Sequence, residues 1–108
     1  MLLMDLEELK NKLAGYDKED IIITEHAELQ AYVRQIDLDE VKNNVINPEK
    51  LVFIEQQESQ KHNEEKYNCY FAYSKDLSHR YILTVNGKVI IVTIIKINRD
   101  WQKILERK

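Results

Sequence analysis

Cysteine, glycine and proline are scarce in this chain, and each shortage removes a class of protein. One cysteine, Cys69, in 108 residues leaves no internal disulfide and no cysteine-built zinc site. Two glycines and one proline exclude collagen-like and low-complexity architectures. Long hydrophobic runs are missing too: the longest, Val89–Ile95, has seven residues, far short of a membrane span. The N-terminal MLLMDLEELKNKL is interrupted by Asp5, Glu7 and Glu8. It has no basic stretch before an apolar one, so it does not read as a signal peptide. A soluble, cytoplasmic protein is the expectation.

What is present is an ordinary globular balance, 44% hydrophobic and 32% charged. The length suits one domain over 1–108 with one core. The net charge of -3 argues mildly against nucleic acid, whose binders are usually basic. By segment the balance reads differently. Residues 1–20 hold 6 acidic and 3 basic side chains, residues 21–58 hold 8 and 3, and residues 59–108 hold 5 and 10. The acidity belongs to the first half and a basic surplus to the second.

Leu2, Leu6, Leu9 and Leu13 recur at helical spacing and predict a leading amphipathic helix within 1–16, with Gly15 just past its end. That stripe serves either the core or a homodimer formed through the Leu2–Leu13 helix. Thr24 is a good N-cap for a helix running to about Gln35, with Ala27, Ala31, Tyr32 and Val33 as a weak stripe. Asp37 with Glu40 opens a further helix whose buried face is Leu38, Val41 and Val45, and Asn47-Pro48 ends it.

After Pro48 the pattern turns to strands: Leu51–Gln56, Tyr67–Tyr73, Tyr81–Val85 and Val89–Ile97. Residues 57–65 read as a polar hairpin loop. Residues 98–108 read as a short C-terminal helix or tail around Trp101, Ile104 and Leu105. The expected fold is α+β: N-terminal helices packed on one face of a four-stranded antiparallel meander, then the short C-terminal helix.

Asn86-Gly87 predicts a two-residue type I′ hairpin. That loop pairs Leu83 with Ile90, Tyr81 with Val92 and Arg80 with Thr93. Tyr81, Leu83, Val85, Ile90, Val92 and Ile94 then form the packing face. A cation beside a hydroxyl, Arg80 with Thr93, suits a phosphate group on the other face.

The stretch from Thr24 to Asp37, TEHAELQAYVRQID, resembles the start of the DUF4258 family of small proteins. The matching residues are His26-Ala27, Arg34 and Ile36-Asp37, followed by Asn47-Pro48, Arg80 and the run Ile91-Val92-Thr93-Ile94. The likeness spans about 21–97. Gln30 stands where many members have an arginine, and Gln35 where a glycine is usual. The resemblance implies a fold similar to the RelE and barnase-like ribonuclease toxins, and metal-independent cleavage of RNA. In that chemistry the ribose 2′-hydroxyl attacks the adjacent phosphate, a base takes its proton, an acid protonates the leaving oxygen and cations stabilise the phosphorane. The partners implied are an RNA substrate and an antitoxin protein, with no cofactor. A catalytically inactive RNA- or protein-binding module of the same fold is the alternative.

On this reading His26, Arg34, Arg80 and Thr93 are the catalytic candidates, and Gln30, Tyr67 and Lys96 the substrate-binding ones. Histidine is the side chain best able to act as acid or base near neutrality. Arg34 follows His26 by eight residues, so the two share nearly one helix face about 12 Å apart along the axis. Tyr67, Tyr70 and Tyr73 alternate along one strand, either stacking on bases or packing. His62 and His79 are weaker candidates, and no histidine spacing suggests a metal site.

Overall fold

The computed structural model describes residues 5–58, 64–100 and 102–103. Three helices precede four strands: α1 (Leu6–Ala14), α2 (Glu25–Val33) and α3 (Leu38–Ile46), then β2 (Leu51–Gln57), β3 (Glu65–Ser74), β4 (Leu77–Val85) and β5 (Val89–Ile97). A fifth strand, β1 (Ile21–Ile23), comes between α1 and α2. The sheet order is β1-β5-β4-β3-β2, with β1 parallel to β5 and all other pairs antiparallel. The expected four-stranded antiparallel meander is therefore a five-stranded mixed sheet. The three isoleucines at 21–23 are too few for a period, yet Ile21, Ile22 and Ile23 pair with Val89, Ile90 and Ile91. The expected C-terminal helix lies outside the described residues, apart from Gln102 and Lys103, as do Leu2 and most of the polar loop.

Each helix starts where a side chain can accept an orphan amide. Asp5 takes the Glu8 N–H at 2.8 Å, Thr24 that of Ala27 at 3.2 Å and Asp37 that of Asp39 at 2.9 Å. The helices cover one sheet face. Leu9 and Leu13 of α1, Ala27 and Ala31 of α2, and Val41 and Val45 of α3 join Tyr67, Cys69, Phe71, Tyr81 and Leu83 in one buried cluster. Leu9 and Leu13 are fully buried within the chain, so this part of the leading stripe serves the core.

The last hairpin departs from the expected register twice. Val85 pairs with Val89, so the loop holds three residues, with Gly87 at φ 74°. A left-handed glycine there is the usual partner of a three-residue loop. This shift turns Ile91, not Ile90, to the core beside Leu83. A bulge at Val92 adds a second shift, after which Ile82 pairs with Thr93, Tyr81 with Ile94 and Arg80 with Ile95. Two shifts restore the parity of the faces but slide the partners. Arg80 and Thr93 are diagonal neighbours on one face, not the directly opposed pair expected.

The end of α2 carries the one non-glycine residue with positive φ among those described, Gln35 at 57°. The Ile36 N–H bonds to Ala31 O at 2.8 Å and the Gln35 N–H to Tyr32 O at 3.1 Å, the double closure of a Schellman motif. Glycine usually fills that position, and its absence stores strain. Gln35→Gly is expected to stabilise the protein by about 1 kcal/mol, read as a higher urea midpoint at unchanged slope. An equal or lower midpoint would show that the turn is not strained.

Candidate functional site

The sheet face turned away from the helices carries the best-built charged site. Because β3 and β4 alternate, Asn68 and Tyr70 point opposite to Tyr67, Cys69 and Phe71, and Arg80 opposite to Tyr81. Tyr70 pairs directly with Arg80, and Asn68 with Glu55 across the β2–β3 ladder. The Arg80 Nε donates to Asn68 Oδ1 at 2.8 Å, and Asn68 Nδ2 donates to Glu55 Oε1 at 3.1 Å. The Arg80 guanidinium also lies 5.9 Å from the centre of the Tyr70 ring, which meets Phe53 edge-on at 5.8 Å. The terminal nitrogens of Arg80 donate to no other described residue.

Arg80 and Tyr70 open onto a cleft of about 360 Å³, also lined by Ile95, Lys96, Ile97, Asn98 and Arg99. Two arginines, Arg80 and Arg99, and one lysine, Lys96, are among its lining residues, so the cleft carries basic side chains. The basic surplus of the second half is thus partly gathered: Arg80 and Arg99 line the cleft and Lys66 shares the Asn68 face of β3. Lys88 instead pairs with Asp20 at 3.3 Å.

The other candidates are distributed around the molecule. His26 is exposed near the start of α2, and half-buried Arg34 turns its Nη1 back to Gln30 O at 3.3 Å. Both stand in the helix layer, whereas Arg80 and Thr93 face away from it, so the four do not converge on one phosphate. Thr93 lies outside the cleft wall. Tyr67 is fully buried, its hydroxyl donating to Glu65 Oε2 at 2.7 Å, and offers no surface to a substrate. Lys96 lines the cleft but pairs with His79, and its charge acts on that ring.

Gln30 has a different task from the one expected. β1 is only three residues long, so the ladder on that side of β5 stops near Ile91, where the Thr24 N–H bonds to Ile91 O at 3.1 Å. Past it, the Ile94 N–H donates to Gln30 Oε1 at 2.9 Å. An arginine has no acceptor and could not make this bond. The glutamine therefore completes the sheet at the bulge, as a buried backbone amide requires.

A second polar cluster, which sequence reasoning missed, lies between α3 and the sheet. Asn44 donates to the hydroxyls of Tyr73 at 2.6 Å and Tyr81 at 3.1 Å, and Tyr81 bonds to His79 Nδ1 at 2.7 Å. Burial lowers the pKa of His79 and raises those of Tyr81 and Tyr73. No motif announces this cluster; it forms because three aromatic or imidazole tips from β3 and β4 meet one helix amide. Cys69 is wholly buried, and burial pushes its thiol far above the ordinary range, so it is unreactive.

The second half of α2 exposes three apolar side chains, after the polar Glu25, His26 and Glu28 of its first turn. Leu29, Tyr32 and Val33 are 61%, 82% and 68% exposed, while the small Ala27 and Ala31 face the core. Tyr32 and Val33 thus leave the stripe they were expected to share with the alanines. Among the described residues no helix is long and apolar enough to cross a membrane. Nor does any group of three or more His, Cys, Asp or Glu stand ready to hold a metal ion. Compared with family models, with curated proteins and with solved structures, the chain matches none.

Proposed function

We propose that this protein binds RNA by its phosphate backbone, with the Arg80 cleft as the anchor, as a relative of the small ribonuclease toxins. The observation that carries the reading is the held guanidinium of Arg80. It is fixed through Nε, its terminal N–H groups are left for a ligand, and Arg99 stands on the same cleft wall. A planar fork held in this way suits a phosphate better than a mobile lysine does. An antitoxin or other protein partner would find its apolar contact on the Leu29–Tyr32–Val33 side of α2.

Anisotropy of a labelled single-stranded oligoribonucleotide tests the binding. Arg80→Ala is expected to weaken it by roughly tenfold and to lower the slope of log affinity against log salt by about 1. Arg80→Lys should recover the slope but not the affinity. No binding by the wild type, or equal binding by Arg80→Ala, would refute the reading.

The stronger reading, metal-independent cleavage, would use the exposed His26 as acid or base, and its place in the helix layer, away from Arg80, counts against it. Incubating RNA with chelator and assaying for cyclic-phosphate ends decides it. Cleavage abolished by both His26→Ala and Arg80→Ala supports the nuclease. Intact RNA at concentrations that saturate binding leaves the binding module.

A further inference from the structure

We infer that Asn68 is the positioning residue of this phosphate site and that Glu55, behind it, is a built-in counter-charge that keeps the site weak enough to release its ligand. The inference rests on the RNA-binding reading above. It concerns what sets the geometry and strength of the Arg80 anchor.

Asn68 is only 2% exposed and sits between two charged groups of opposite sign. Chemistry dictates its orientation at both ends. Arginine has donors only, so the amide oxygen must face it; an ionised carboxylate only accepts, so the amide nitrogen must face Glu55. The observed bonds, Arg80 Nε to Oδ1 and Nδ2 to Glu55 Oε1, satisfy both demands at once. The Nε bond fixes the guanidinium within its plane, and the Tyr70 ring limits it on one face. Together they leave the paired terminal nitrogens as the edge presented to a ligand. A held fork loses less freedom on binding than a mobile one, and that difference appears as affinity.

The residue type also matters. An aspartate at 68 would place a full negative charge on Arg80 and neutralise the anchor. The neutral amide holds the guanidinium and leaves its charge in place. The negative charge is set one side chain further back, on Glu55, where it opposes an incoming phosphate from a greater distance.

The same anisotropy assay separates these roles. Asn68→Ala should weaken binding of the labelled oligoribonucleotide by roughly fivefold while leaving the salt slope unchanged, because no charge is lost. Asn68→Asp should weaken it further and lower the slope by about 1, as Arg80→Ala does. Glu55→Gln keeps an acceptor for Asn68 and removes the charge, so binding should tighten by roughly two- to threefold. Cooperative thermal melting checks that each variant is folded. If Asn68→Ala loses its cooperative melt, Glu55→Gln carries the test, and unchanged or weaker binding overturns the inference. Wild-type affinity in folded Asn68→Ala also overturns it, as does a salt slope reduced as in Arg80→Ala. Failure of the wild type to bind RNA removes the underlying reading. Binding that depends on Arg80 but not on Asn68 or Glu55 removes this inference alone.

Discussion

Leu13→Ala is expected to destabilise the protein by about 3 kcal/mol, within the usual range for a large side chain removed from a closed core. Leu13 is fully buried on α1, in the same cluster as Leu9, Val41 and the sheet residues Tyr67 and Phe71. The helix touches α3, β2 and the turn at Pro48–Lys50, so the lost methyl groups have neighbours on several sides and the space cannot close cheaply. Urea unfolding at two protein concentrations measures it. If the leucine stripe served a dimer instead, the midpoint of the wild type would rise with concentration and that of the variant would not. A loss below about 1 kcal/mol would mean that α1 is not part of the core. Tyr32→Ala is the matched control. At 82% exposure it should change stability by less than about 0.5 kcal/mol.

The contrast between those two side chains shows which layers of the fold are legible in the chain. The α1 stripe is a clean four-three repeat, and its buried face follows from spacing alone. The α2 stripe is not, because its larger apolar residues face outward and its alanines inward. Composition within a helix cannot say which apolar side meets the sheet when both sides have one. In the sheet, the faces of β4 follow from alternation, since Tyr81, Leu83 and Val85 are all in the core. The partners on β5 do not follow, because a third loop residue and the bulge at Val92 each shift the ladder by one. The Arg80–Thr93 pair rested on that ladder. Arg80 nevertheless remains the centre of the candidate site, for a reason absent from the linear pattern: Asn68 and Tyr70 meet it only once β3 is in register.

The resemblance raised by TEHAELQAYVRQID bears on the same point from the other side. Gln35 takes the left-handed turn that a glycine would take without strain, and Gln30 completes the β5 backbone where an arginine could not. Both differences have structural consequences within α2 and its neighbours. Gln30 is a sheet-completing residue with its acceptor already engaged. The two arginines that line the cleft, Arg80 on β4 and Arg99 just past the end of β5, lie outside this helix.

Asn44→Ala is expected to cost about 2 kcal/mol in urea unfolding, because it leaves the buried Tyr81 hydroxyl and the half-buried Tyr73 hydroxyl without their donor. The Asn44 amide gives one N–H to Tyr73 and one to Tyr81, and the Tyr81 hydroxyl in turn bonds to His79 Nδ1, which ties the imidazole into a buried network. Burial lowers the His79 pKa below the ordinary value of 6.5, Lys96 on β5 lowers it further and Glu40 on α3 opposes both. A histidine with a depressed folded pKa binds its proton more tightly in the unfolded chain. Its contribution to stability is complete above about pH 6.5 and declines as pH falls through that value towards the folded pKa. The wild type should therefore lose stability as pH falls from about 7 to 5, and His79→Phe should lose less over the same window. Urea midpoints across that range for the wild type and His79→Phe measure the effect. Parallel curves for wild type and His79→Phe would show that His79 is not held neutral by the fold.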